Sequence, residues 1–145
     1  MGERVQFSVS AEPLDCATYG RLMINAHAGA LVSFEGRVRS INHGRDVVGL
    51  FYEAHERLAQ VEFSQIVEET KNQFGIIDMR AVHRVGHLSV GESGVWLGVL
   101  AEHRQEAFLA SAFAMRELKS RLPIWKKESY ADGTHRWVDE ACGCV

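Results

Sequence analysis

Polar and apolar positions first alternate at Val5, Phe7 and Val9, the period of a half-buried strand, and Pro13 closes that segment. Leu14 to Ala28 reads as a modest helix with Gly29 as its stop. From Ala30 to Ser40 the period of two returns. Leu31, Ser33, Glu35, Arg37 and Arg39 fall on one face, and Val32, Phe34, Gly36 and Val38 on the other. Asn42 to Asp46 is a polar turn, after which Val47 to Ala54 is predicted to return as the antiparallel partner of that strand. A helical period then takes over from His55 to Phe74, where Ala59, Phe63, Ile66, Val67, Thr70 and Phe74 form one stripe and Gly75 stands at the stop. Ile77, Met79, Ala81 and His83 alternate again, and Gly91 to Gly94 turns into a strand whose Val95, Leu97, Val99 and Ala101 share a face. Gln105 to Ser120 is the second strong helix, ended by Pro123, which lacks an amide donor and disfavours helix in the residue before it. A short last strand is predicted around Arg136 to Val138. Hairpins and single helices without regular strand–helix alternation predict an α+β fold with a mainly antiparallel sheet and two principal helices.

Composition changes this picture little. A length of 145 residues suits one domain, 1–145, with 139–145 expected as a frayed tail. With 46% hydrophobic and 24% charged residues, disorder and low-complexity classes are excluded. A net charge of -3 gives no global attraction for nucleic acid or anionic membrane, so any anion site must be local. No window approaches the ~20 apolar residues of a spanning helix, and the start MGERVQFSVSAEP lacks a signal-peptide core, so a soluble, cytoplasmic protein is expected. Cys16, Cys142 and Cys144 lack zinc-ligand spacing and are read as reduced thiols.

Local charge is more informative. Three of the four lysines, Lys119, Lys126 and Lys127, fall with Arg121 inside nine residues of formal charge +4. Lys119 projects about 20° from Phe108 on the second helix, sharing a stripe with Ala112 and Met115, so its ammonium is expected to emerge from an inward-facing side. The plainer alternative is that Lys119 and Arg121 complement the helix C-terminus and snorkel over apolar surface. His103 and Arg104 stand between a strand and a helix N-terminus, a junction that suits an anion, or serve as a capping or surface pair. Arg37 and Arg39 share a strand face that is either a site or simply wet. His83 and His87 are four apart but flank Gly86 in a strand–turn stretch, so they are read as structural; there is no P-loop and no GxGxxG. Trp125 and Trp137 are candidates for stacking on a heterocycle or for core burial.

Taken together, Gly29-Ala30-Leu31-Val32-Ser33-Phe34-Glu35-Gly36-Arg37-Val38-Arg39, then Glu102-His103-Arg104, then Leu118-Lys119-Ser120-Arg121-Leu122-Pro123-Ile124-Trp125-Lys126-Lys127-Glu128, closed by Arg136-Trp137-Val138, resemble the large, catalytic subunit of molybdopterin synthase. The resemblance runs from about Ala28 to Val138. It implies a hammerhead-type α+β fold and a central homodimer within a heterotetramer, each end holding a small ubiquitin-like sulfur-carrier subunit. That subunit's Gly-Gly C-terminus, as a thiocarboxylate, would donate sulfur to cyclic pyranopterin monophosphate, two transfers making the dithiolene of molybdopterin. By resemblance the substrate-binding residues are Arg37, Val38, Arg39, His103, Arg104, Lys119, Lys126, Lys127 and Glu128, with Lys119 and Lys126 catalytic. No metal or cofactor is expected for this step. Two anionic reactants repel one another unless cations surround them, which suits these residue types. Lys119, among other cations, is expected to lose its proton readily enough for acid/base work. Where relatives often carry a basic residue after Trp-Val, this chain reads Val138-Asp139-Glu140-Ala141, which puts one phosphate contact in doubt. The competing class is a non-catalytic phosphate- or RNA-binding module, or an adaptor subunit, built on the +4 segment and Trp125.

Overall fold

A computed structural model describes residues 5–138. Its elements in chain order are β1 (Phe7–Ser10), α1 (Cys16–Leu22), β2 (Ala30–Arg37), β3 (Ile41–Asn42), β4 (Arg45–Ala54), α2 (Glu56–Phe74), β5 (Asp78–Arg84), β6 (Gly86–Ser89), β7 (Ser93–Ala101), α3 (Arg104–Arg121), β8 (Ile124–Tyr130) and β9 (His135–Val138). The fold is α+β and mainly antiparallel, with α2 and α3 the two long helices and α1 a short third. Cys142, Cys144 and the Asp139-Glu140 departure lie outside the described residues.

The first sheet has the order β1-β5-β7-β2, with only β1 and β5 parallel. Helices α2 and α3 cover one face, burying Phe63, Ile66 and Val67 from α2 against Met79, Leu97 and Val99 from the strands. The side of α3 turned to this core is Ala107, Ala110, Ala114, Met115 and Leu118. This corrects the expected inward stripe. Phe108 is 61% exposed and Ala112 is also outward, because the small Ala107, Ala110 and Ala114 turn to the sheet and let the helix lie close; of the expected apolar stripe only Met115 is buried. Arg121 fixes the last turn of α3 to α2 through ion pairs with Glu62 at 3.5 Å and with Glu69, and to its own helix through Glu117 at 3.4 Å.

The second sheet overturns the predicted hairpin. β2 pairs with β7 in the first sheet, whereas β4 pairs with β3 and β6 along one edge and with β8 along the other, and β9 then pairs with β8. The polar turn itself is real, but it joins β4 to the two-residue β3 through His43 and Gly44, both at positive φ. That backbone matches the twist of a two-residue hairpin, and glycine adopts it at no steric cost. The expected helix from Leu14 to Ala28 shrinks to Cys16–Leu22. Asn25 provides the reason, since its side-chain oxygen accepts the His27 amide at 2.9 Å and makes a local turn that competes with helix. Strand β8 was absent from the hydrophobic pattern because Lys126 and Glu128 occupy its inward positions.

Candidate functional site: a cationic cleft between the two sheets

Two adjoining clefts open where the end of β2 meets the second sheet. The first is lined by Arg37 and Val38, Tyr52 of β4, His83 of β5, Gly94 of β7, and Lys119 with Leu118 and Leu122 at the end of α3. The second shares Arg37, Val38 and Tyr52 and continues along Arg39, Asn42, Lys126 and Glu128. Six of the nine candidate residues, Arg37, Val38, Arg39, Lys119, Lys126 and Glu128, therefore line one continuous depression.

Val38, Arg39, Lys126 and Glu128 are placed by identifiable local features. Val38, just past β2, is clamped through its backbone, its amide donating to the Glu92 carbonyl at 3.0 Å while its own carbonyl accepts the Gly91 amide at 2.8 Å. That β6–β7 turn is in turn held by the nearly buried Arg84, which donates to Glu92 Oε2 at 2.7 Å and to the Ala11 and His87 carbonyls. Arg84 consequently holds the Glu92 carboxyl below its ordinary range. Arg39 donates to Asn42 Oδ1 at 3.4 Å, and Asn42 Nδ2 donates to Glu128 Oε1 at 2.5 Å. Lys126 lies 3.9 Å from the same oxygen. Lys126 and Glu128 are 4% and 1% exposed, so both charges have left bulk water, and neither is tolerable there without the other. Glu128 Oε2 is also buried and has no hydrogen-bond partner among the described residues. Tyr52 enters this wall because position 94 is glycine: a Cβ there would sit 3.3 Å from the tyrosine ring.

Three candidates lie elsewhere. Lys127 follows Lys126 on β8 and so points to the opposite face, where its ammonium lies 5.5 Å from the Phe51 ring centre and 5.6 Å from that of Trp137. Trp125 and Trp137 are half exposed, 51% and 50%, rather than in the core. His103 is the N-cap residue of α3 without a side-chain cap bond, and both it and Arg104 are exposed at the far end of the helix from Lys119. Fifteen residues at 1.5 Å rise separate Arg104 from Lys119, roughly 22 Å. Arg121 serves α2 rather than the cleft, so the +4 segment is divided among three surroundings: the depression, α2 and the outer face of β8.

Sequence reasoning missed three lining groups, Tyr52, Asn42 and His83. The first two carried no periodic or motif signal. His83 was visible but read as structural; it is buried in the wall of the cleft, 6% exposed. Its Nδ1 lies 2.8 Å from the Arg84 carbonyl oxygen and its ring meets Tyr52 edge to face at 4.7 Å. Burial pushes its pKa down to about 4, the Arg84 carbonyl opposes that, and the Lys119 charge lowers it further. At neutral pH His83 is therefore uncharged, with Nδ1 as the donor.

Outside the cleft, burial and then Glu35 push the Cys16 thiol up to about 11, leaving it protonated and unreactive at neutral pH. Among the described residues no three His, Cys, Asp or Glu side chains are grouped to hold a metal ion, and no helix is long and apolar enough to cross a membrane.

Residues 9–121 match the family model described as MoaE protein. The chain belongs to the MoaE family. The matched segment includes Arg37, Val38, Arg39, His103, Arg104 and Lys119 and stops before Lys126. Alignments to family relatives reach further. The chain is 36% identical over 143 residues to a molybdopterin synthase catalytic subunit of Synechococcus elongatus, covering 98% of this chain and 87% of the relative. It is 40% identical over 118 residues to that of Pseudomonas aeruginosa, covering 81% and 78%. The crystal structure of molybdopterin synthase from Staphylococcus aureus superposes with a TM-score of 0.86 at 32% identity, over 94% of this chain and 98% of that one. A complex of subunits 1 and 2 of molybdopterin-converting factor from Helicobacter pylori shares the fold at a TM-score of 0.75 and 20% identity, over 92% and 90%.

Proposed function

We propose that this chain is the catalytic subunit of a molybdopterin synthase, working in the cytoplasm in molybdenum cofactor biosynthesis. It moves sulfur from the C-terminal thiocarboxylate of a small ubiquitin-like partner to cyclic pyranopterin monophosphate. In each of two transfers the thiocarboxylate sulfur forms a carbon–sulfur bond on the pterin side chain as a carbon–oxygen bond there breaks, and water then cleaves the acyl–sulfur bond, releasing the partner's tail as a carboxylate. The observation that carries this reading is the convergence of Lys119, Lys126 and Arg39 on one depression in a chain of this family. Arg39 and Arg37 attract the cyclic phosphate and the thiocarboxylate, and charge-assisted hydrogen bonds hold the two anions side by side. Lys119, at the mouth formed by the end of α3, polarises the acyl carbon and exchanges protons with the reacting groups. Lys126, its charge balanced by Glu128, supplies a second fixed cation on the floor.

Two copies of the chain complete the site in this reading. His103 and Arg104 are too far from Lys119 to touch the same small molecule within one chain, so a homodimer that presents the α3 N-terminus of one copy to the cleft of the other would reunite them. Lys127, facing away from the cleft, then belongs with Phe51 and Trp137 on a surface for a protein neighbour rather than with the pterin. The fold shared with one chain of a two-subunit complex supports a partner subunit, and in this reading one such partner docks at each end of the dimer.

The test is reconstitution. The purified chain, mixed with a thiocarboxylated partner and the cyclic pterin, is expected to yield a product heavier by two sulfur substitutions, read by mass spectrometry. An unchanged pterin in the presence of a partner that binds would sink the reading.

A further inference from the structure

Arg84 is buried, 8% exposed, and lines neither cleft, so the reaction above gives it no part. Taking a guanidinium out of water is costly, and here all three of its nitrogens donate. Nε donates to the Ala11 carbonyl at 3.2 Å, one terminal nitrogen to Glu92 Oε2 at 2.7 Å and the other to the His87 carbonyl at 3.3 Å. The second Glu92 oxygen accepts the Ser89 amide at 3.2 Å, so the carboxylate ties the β6–β7 turn to the end of β5. That turn is what meets the cleft. β2 leaves its sheet at Arg37, where the register slips: Gly36 pairs with Val95 but Arg37 with Ser93. A slip of this kind re-aims the side chains around it. Past it, Val38 bonds to the turn in both directions, donating to the Glu92 carbonyl at 3.0 Å and accepting from the Gly91 amide at 2.8 Å.

We propose that Arg84 and Glu92 are positioning residues for the two cleft arginines, fixing through the backbone of Val38 the separation and direction from which Arg37 and Arg39 grip an anion. Both arginines are exposed and long, so a two-pronged grip depends on the backbone from which they start. Glu35, 3.6 Å from Arg37, and Asn42, 3.4 Å from Arg39, touch the guanidinium groups themselves and leave the chain between them to the turn. The proposal rests on the anion-binding role given to Arg37 and Arg39 above. The sign of a charge change separates positioning from plain electrostatics. Neutralising Glu92 removes a negative charge near the cleft, which by Coulomb attraction alone tightens an anion, whereas loosening Val38 weakens it.

The test titrates inorganic phosphate into the full chain and follows the Arg37, Val38 and Arg39 amide signals by NMR. Glu92→Ala is expected to raise the phosphate Kd about tenfold. Glu92→Gln, whose amide oxygen keeps one of the two turn bonds, is expected to raise it about threefold. In Glu92→Ala the Val38 amide should also exchange with solvent about tenfold faster than in the wild-type chain, with the Leu97 amide in the middle of β7 unchanged. A pair serving only global stability would speed both amides together and leave the affinity of the folded chain alone. An unchanged or lower Kd in both variants, or equal acceleration at Val38 and Leu97, would overturn the proposal, as would a wild-type chain that binds no phosphate. If Glu92→Ala does not fold, Glu92→Gln decides alone. Weakened phosphate binding with no product in reconstitution leaves the positioning role standing and sinks the sulfur-transfer reading. Product formation with unweakened phosphate binding does the reverse.

Discussion

Lys126 and Lys127 are adjacent in the chain, identical in chemistry and opposite in circumstance. The first is 4% exposed, on the face of β8 that lines the cleft, 3.9 Å from Glu128. The second is partly exposed on the other face, over the rings of Phe51 and Trp137. The difference is the alternation of a strand, which sends neighbours to opposite sides whatever their side chains prefer. Motif resemblance treats the two lysines as one feature, whereas the structure places one in the wall of the cleft and the other over two rings on the opposite face.

Breaking the buried member should have the largest effect. Lys126→Ala leaves Glu128 buried without its counter-charge and is expected to cost ~3–5 kcal/mol in denaturant unfolding, along with sulfur transfer. Lys126→Met combined with Glu128→Leu should recover most of that stability but none of the activity. Lys119→Ala tests the chemistry without the burial: transfer should fall ~100-fold or more with the unfolding midpoint unchanged. Lys119→Arg should fail as well, because guanidinium stays protonated.

The buried histidine sharpens the same contrast through pH. His83 titrates near 6.5 when unfolded and at about 4 when folded, so between those values the unfolded chain binds the extra proton. Stability should therefore be fully present above pH 6.5 and fall by roughly 3 kcal/mol as pH drops towards 4, an effect that His83→Gln removes from the unfolding profile. Arg39→Ala, at the exposed end of the cleft, should weaken pterin phosphate binding by ~1.5–3 kcal/mol with little change in folding. Lys127→Ala is the smallest, with a loss of at most about 1 kcal/mol from an exposed cation–π contact and normal turnover in a reconstituted assay. A Lys127→Ala protein as inactive as Lys126→Ala would erase the distinction drawn here.

The sequence made legible those elements whose apolar residues recur in step with the backbone. Helix α2 and strands β5 and β7 are of that kind, with Met79, Ala81, Val95 and Leu97 buried as their alternation requires. Strand pairing was not legible, since β2 and β4 both alternate and nothing local says that β7 rather than β4 completes β2. The site divides in the same way. Arg37, Arg39 and Lys119 stand out as charges in or beside apolar runs. The inward placement of Lys126 and Glu128 was hidden because charge at a buried strand position reads as surface until the partner is seen. Asn42 and Tyr52 join the site through Glu128 and Gly94, both far away in sequence.

Arg121 has a kinetic consequence. By tying the last turn of α3 to three glutamates, it keeps the helix end from fraying. Lys119, two residues earlier, then reaches its targets through rotation about its own side-chain bonds, motions of picoseconds to nanoseconds, rather than through slower rearrangement of backbone. Arrival of this amine should never limit the rate of turnover. The slow events are then expected to be entry of the tail and departure of product, so turnover in the wild-type protein should slow with solvent viscosity, whereas in Arg121→Ala it should depend on how often the helix end re-forms.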